Sequence, residues 1–197
     1  MFKNVCNSLR TIKEMMIDRG CTEWGSDIEN IDLNELRNTV NQRHLFYYDF
    51  ENSDGEKIRI LYALQPKFKL SEVKKFIDES FNLTIIILRE KISTTNMKSI
   101  DDVRKKANDI QVFHIKELDF NVTHHILVPK HELLGSDKEF EIQQIVEKYQ
   151  VKSRFQMPLI LRIDPVAKYF NAKPGNLFKI TRSSPTAGEY IFYRCCI

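Results

Sequence analysis

The chain has 197 residues, enough for one domain or two small ones. With 42% hydrophobic and 29% charged residues it has ordinary globular composition, which excludes a disordered chain, and its longest apolar runs are far too short to span a bilayer. A net charge of +3 is too small to argue for nucleic-acid binding by itself. Its distribution is uneven. Up to Asn121 there are 19 basic against 20 acidic residues, and beyond it 11 against 7. A modestly basic second part suits an acidic partner surface or nucleic acid, and equally an ordinary solvated surface. Met1-Phe2-Lys3-Asn4 opens no signal-peptide pattern, so a cytosolic, nuclear or viral-factory setting is expected, with the four cysteines as reduced thiols.

Val5, Leu9, Ile12 and Met16 recur at helical spacing until Gly20, which predicts a first amphipathic helix. Asp32 can cap a second helix running toward Arg43. Leu45–Phe50 and Ile58–Leu64 are aromatic or branched runs around an Asp-Gly turn, which reads as a hairpin. Ser71 can cap a helix carrying Val73, Phe76 and Ile77 inward. Leu83–Leu88 is a continuous apolar run, as expected of a strand buried on both faces. Thr94 or Thr95 then opens a helix with Met97, Ile100 and Ala107 on one side, before a further strand at Ile110–Ile115. Strand, helix, strand is a βαβ unit, and its strands should be parallel.

The alternation stops near Asn121, where a domain boundary is placed: 1–121, a small α/β domain, and 122–197, a small mixed α+β domain. In the latter, Ser136-Asp137-Lys138-Glu139 reads as a capping box before a helix with Ile142, Ile145, Val146 and Tyr149 as its buried stripe. Asp164-Pro165 is another helix start, with the carboxylate as cap and proline at the first position. Leu177–Arg182 and Tyr190–Cys196, joined through Pro185–Gly188, form an antiparallel pair.

Chemistry-bearing clusters are scarce. Cys195 and Cys196 would face opposite sides of a strand, Cys6 and Cys21 stand alone, and there is no CxxC. His124, His125 and His131 are close in sequence, but the first two face opposite ways if extended. No metal, cofactor or catalytic set emerges, and GxSxG, P-loop and GxGxxG patterns are absent. A metal-dependent nuclease would draw on Asp49, Glu90 and Lys91, yet Arg89 fills the slot where an acidic residue belongs. A free-standing adaptor is the other competing class. Ser93, Thr94 and Thr95 precede a helix, with Lys98 in its first turn; such a helix start either is simply capped or receives a phosphate.

Thr123-His124-His125, Leu127–His131, Gln156-Met157-Pro158, Asp164–Tyr169, Lys179-Ile180 and Thr186–Arg194 together resemble the assembly domain of the fifth shared subunit of eukaryotic RNA polymerases, a domain that also has an archaeal relative. Arg10–Met15, Asp18-Arg19-Gly20 and Ile92–Lys98 are similar to the jaw domain of the eukaryotic protein, which the archaeal one lacks, while Cys21–Lys69 matches poorly. The chain departs from the family at Met157-Pro158-Leu159-Ile160, at Asn171 and Lys173-Pro174-Gly175 where a glycine and Lys-Arg-Gly are usual, and at Ser184-Pro185, where an acidic residue is lost. Such divergence resembles a protein of a large DNA virus or an unusual eukaryote.

The resemblance implies a two-domain α+β and α/β protein: a jaw with the βαβ unit, then an assembly domain ending in an antiparallel strand pair. It implies a non-catalytic polymerase subunit without cofactors, working in the nucleus if cellular and in the virion or a cytoplasmic viral factory if viral. Its partners would be the largest polymerase chain, neighbouring small subunits and, weakly and without sequence preference, downstream duplex DNA; no membrane is involved. Ser93, Thr94, Thr95 and Lys98 would face DNA. His131, Asp164, Pro165, Val166, Tyr169, Arg182, Thr186, Gly188, Tyr190, Tyr193 and Arg194 would meet the protein partner, with some of Asp164, Arg182 and Arg194 pairing across the interface unless Asp164 only caps its helix.

Overall fold

The computed structural model describes residues 1–21, 31–51, 55–66, 70–78, 80–90, 100, 109–135, 138–184 and 188–197. They fall into two compact units, Met1–Phe120 and Asn121–Ile197, each with its own four-stranded sheet, in a mixed α+β fold.

Unit 1 begins with α1 (Phe2–Asp18), which buries Val5, Leu9, Ile12, Met15 and Met16 on one stripe. The helix stops where Gly20 takes φ +97°, a left-handed conformation that costs glycine nothing, and the Cys21 N–H returns to the Met16 carbonyl. α2 (Leu33–Gln42) is capped by Asp32, whose carboxylate accepts from the Asn34 N–H at 2.9 Å. β1 (Leu45–Glu51) and β2 (Lys57–Ala63) pair antiparallel, as the hairpin pattern predicts; the turn residues 52–54 lie outside the described set. β3 (Leu83–Leu88) and β4 (Asp109–His114) follow in the order β1-β2-β3-β4. The β3–β4 pair is parallel, as the βαβ pattern requires, and so is β2–β3. Every residue of β3 is buried, because the strand has a neighbour on each side and packed elements above and below. Each buried isoleucine there contributes roughly 1.5–3 kcal/mol of transfer free energy.

The two sheet faces are distinct. One carries Phe46, Tyr62, Ile85 and Ile87, and the Ser8 hydroxyl lies 2.8 Å from the Tyr62 hydroxyl, which puts α1 over it. The other carries Leu61, Ala63, Ile86, Leu88, Ile110 and Val112, packed with Val73, Phe76, Ile77 and Ile100. Ile100 is helical and buried, as expected of the crossover, whose other residues from 91 to 108 lie outside the described set. The helix expected from Ser71 is corrected. α3 spans only Leu70–Val73, Ser71 sits inside it, and the chain tightens into a 3-10 turn at Lys74–Phe76. At its end the Phe76 carbonyl accepts from Arg59 Nη1 at 2.8 Å, and Val73, Phe76 and Ile77 still pack inward as expected.

In unit 2 the sheet order is β5 (Lys130–Leu134), β7 (Leu177–Ser184), β8 (Gly188–Cys196), β6 (Leu159–Ile160). β7 and β8 are antiparallel, as the terminal alternation predicts. α4 (Glu139–Lys148) puts Ile142 and Ile145 with Leu134, Leu177 and Cys195 on one face of the sheet. α5 (Pro165–Tyr169) contributes Ala167 to the cluster on the other face, with Phe178, Ile180 and Cys196. One expectation for α4 is corrected and one is not tested. Lys138 occupies its N-terminal cap position without a side-chain bond, and the Glu139 carboxylate pairs with Arg154; the capping box expected between Ser136 and Glu139 lies outside the described residues. Tyr149 is 49% exposed, because it already belongs to the helix's C-terminal cap. His124 closes a 3-10 turn, Val122–His124, so His124 and His125 are not on a strand at all. Asn171 follows α5 with φ +53°, the left-handed region. That accounts for the usual glycine there: asparagine is among the few other residues that enter this region at low cost.

Candidate interaction surfaces

The β5-β7-β8 register decides which candidate partner residues share a surface. His131 lies opposite Ile180, which lies opposite Phe192; Phe178 lies opposite Arg194, and Arg182 opposite Tyr190. Cross-strand partners share a face. His131, Arg182, Tyr190, Phe192 and Arg194 therefore stand on one face of the sheet, the one α5 packs against. Tyr193 is on the other, edge-on to Tyr149 at 5.8 Å between ring centres.

On the shared face, His131 is half-buried and its Nδ1 lies 2.7 Å from the Pro129 carbonyl. A carbonyl only accepts, so Nδ1 carries the proton. The ring meets Phe178 edge-on at 5.9 Å. Burial holds the imidazole below its ordinary pKa; the Pro129 bond and the Asp164 charge oppose this, while Arg194 and Arg182 add to it. Two cations and one carboxylate thus lie within electrostatic reach of one histidine. The Arg182 guanidinium sits 5.0 Å and that of Arg194 5.9 Å from the Phe192 ring centre, a cation–π arrangement that also spaces the charges. Tyr190, 57% exposed, stacks on the same Phe192 at 5.9 Å. Neither arginine has an ion pair among the described residues, and Arg194 Nε is buried without a hydrogen-bond partner. A buried donor left unpaired costs about 1–3 kcal/mol.

The Asp164 carboxylate accepts from the Val166 N–H at 2.9 Å and so caps α5, with Pro165 exposed at its first position. Val166 and Tyr169 are buried, which turns their side chains toward the unit's own core. The Tyr169 hydroxyl accepts from the Asn121 amide at 2.9 Å, and Asn121 in turn caps the Val122–His124 turn. Gly188 opens β8 at φ +69° with open space where a Cβ would stand. Thr186 lies outside the described residues, as do Ser93, Thr94, Thr95 and Lys98.

Sequence reasoning missed a set of exposed apolar side chains in unit 2. Ile126 is 94% exposed, Leu127 82%, Ile163 80% and Leu161 54%. They occupy the loop before β5 and the loop before α5. The signal was available: isoleucine and leucine shortly before Pro129 and Pro165, in stretches with neither helical nor strand period. Exposed apolar groups in such number mark interaction sites on soluble proteins.

Of the residues of the nuclease reading, Lys91 lies outside the described set. Both Asp49 oxygens are taken by Arg59, at 2.6 Å each, and Glu90 lies beyond the end of β3. Among the described residues no three His, Cys, Asp or Glu side chains are grouped to hold a metal.

Residues 120–196 match the family described as RNA polymerase Rpb5, C-terminal domain. The chain is 32% identical over 164 residues to DNA-directed RNA polymerases I, II, and III subunit rpabc1 of Dictyostelium discoideum, covering 80% of this chain and 81% of that one. It is 30% identical over 205 residues to DNA-directed RNA polymerase subunit 5-like protein 1 of Arabidopsis thaliana, covering 95% and 93%. With relatives of that identity matched over most of their length, the chain belongs to the Rpb5 family, the accessory, non-catalytic fifth subunits of DNA-directed RNA polymerases.

Proposed function

We propose that this protein enters its polymerase through the second domain, 122–197, which docks on the largest polymerase chain, while the first, 1–121, acts as a jaw along downstream DNA. The observation that carries the docking half is the surface of unit 2. It combines Ile126, Leu127 and Ile163, nearly bare to solvent, with Arg182 and Arg194, two arginines without a carboxylate partner among the described residues. Apolar anchors and arginines are what a protein interface uses, and of these two Arg182 is exposed while Arg194 is partly buried. Arg194 Nε gains most, because an acceptor from a partner satisfies a donor already removed from water. Asp164, Pro165, Gly188 and Tyr190 border this surface in the reading; Val166 and Tyr169 hold α5 in place from below.

The DNA half rests on sequence alone. The helix expected from the sequence, opened by Thr94-Thr95 with Lys98 in its first turn, would offer N–H groups and one cation to a backbone phosphate. Such a contact positions a duplex and reads no base. The protein then works wherever its polymerase transcribes, in a nucleus or a viral factory.

The docking half is tested by assembling the polymerase with Arg182→Ala and Arg194→Ala proteins whose folding is verified by circular dichroism. Truncating one side of a desolvated charged pair costs about 2–5 kcal/mol, so incorporation of Arg194→Ala should fall sharply. Normal incorporation of both folded variants removes the proposed interface.

A further inference from the structure

We propose that unit 1 binds an extended segment of another protein as a fifth strand on the outer edge of β1, and that this segment alternates Lys or Arg with aliphatic or aromatic residues.

β1 ends the sheet. The Leu64 N–H donates to the His44 carbonyl at 2.7 Å, and Leu45 lies opposite Ala63. In an antiparallel pair the bonding residues alternate, so Phe46, Tyr48 and Phe50 turn their backbone groups toward β2. Leu45, Tyr47, Asp49 and Glu51 turn theirs away from it. No described strand receives them. A cavity of about 600 Å³ lies along this edge. Its lining shows that it wraps the edge instead of sitting on one face. Phe46 and Tyr48 belong to the face carrying Tyr62, whereas Leu45 and Tyr47 belong to the opposite face, where Tyr47 meets Phe76 at 5.7 Å. One wall is α2, with Asp32, Glu35 and Thr39; the other is Phe76 and the Tyr47 ring.

Those walls define the occupant. A strand added to β1 points successive side chains to opposite walls. One set meets Asp32 and Glu35, both exposed, with Arg43 at the far end of the helix; Glu35 is near enough to help raise the Tyr48 hydroxyl pKa, after burial. The other set meets aromatic rings. Backbone pairing supplies affinity and the alternate pockets supply the pattern. The carboxylates disfavour a nucleic acid in the same place.

The probe is a displayed library of random ten-residue peptides selected on the full-length chain. Enriched peptides should alternate basic and apolar residues. Glu35→Lys should weaken them roughly two- to fivefold, the range of one exposed ion pair. N-methylating every second amide in one register should weaken binding by more than about tenfold through lost backbone bonds, whereas the other register should be tolerated. Amide exchange should slow at Tyr47 and Asp49. The proposal is overturned if no peptide is enriched, if enriched peptides lack the alternation, or if both N-methyl registers bind equally.

Discussion

Cys195 and Cys196 are neighbours in the chain but belong to opposite faces of the unit 2 sheet. Cys195 packs with Leu134, Ile142 and Met157 on the α4 side, and Cys196 with Ala167, Phe178 and Ile180 on the α5 side. The strand's two-residue period puts one thiol on each face, and both are fully buried. Burial also pushes both thiols above their ordinary pKa, so they are poor nucleophiles. In the native protein Ellman's reagent should react with Cys6 and Cys21 well before either of them, and all four should react in guanidinium. Fast native labelling of Cys195 or Cys196 would contradict this packing.

In unit 1 the Ser8 and Tyr62 hydroxyls are 2.8 Å apart inside the core, and Ser8 also donates to the Val5 carbonyl at 2.8 Å. The two members are unequal. Tyr62→Phe leaves Ser8 with its backbone partner and should cost about 0.5–1.5 kcal/mol, whereas Ser8→Ala strands a buried phenol and should cost about 1–3 kcal/mol. Urea unfolding of the two variants checks the order; the reverse order would mean that the phenol finds another partner.

His131 should make unit 2 acid-sensitive. Burial lowers its pKa below the ordinary 6.5 in the folded state. As pH falls through 6.5 the unfolded chain takes up the proton first, so stability is full above that pH and declines below it until the folded imidazole also titrates. His131→Asn should flatten the difference in melting temperature between about pH 7.5 and about pH 5.5. An unchanged pH dependence in the variant would assign the sensitivity elsewhere.

Asn171, at φ +53°, should be replaceable by glycine with little loss. A β-branched residue there should cost about 1–2 kcal/mol, the strain of the left-handed conformation. Thermal melts of Asn171→Gly and Asn171→Val test this; equal stability of the two would mean that the turn relaxes.

Lys98→Glu should weaken the downstream DNA grip of the assembled polymerase uniformly across sequences, and added salt should shrink the difference. The loss of anion stabilisation at the helix end is about 0.3–1 kcal/mol, so the free protein should bind DNA only weakly. A sequence-dependent defect, or none, would remove the phosphate contact.

Much of this fold is legible in local pattern. Leu83–Leu88 reads as a strand covered on both faces because six apolar or near-apolar residues in succession leave no polar side to solvate, and all six are buried. Asp164-Pro165 marks α5 because carboxylate and proline act within one turn. What local pattern hides is long-range contact. Arg59 takes the Phe76 carbonyl, and Arg154 takes the Glu139 carboxylate, each from a distant part of the chain. The gathering of His131, Arg182 and Arg194 on one face depends on strand register, set by pairings between strands far apart in the chain. Ile126 leaves only a weak local signal, an apolar residue outside any helical or strand period, and the fold around it leaves it 94% exposed.

If this chain works as a docked polymerase component, the tagged full-length protein purified from its native source should bring the polymerase with it. Two very large polymerase chains should co-purify in fixed ratio, and folded Arg194→Ala protein should recover them in clearly lower yield. Wild-type protein that purifies alone, with polymerase activity left in the unbound fraction, would contradict it.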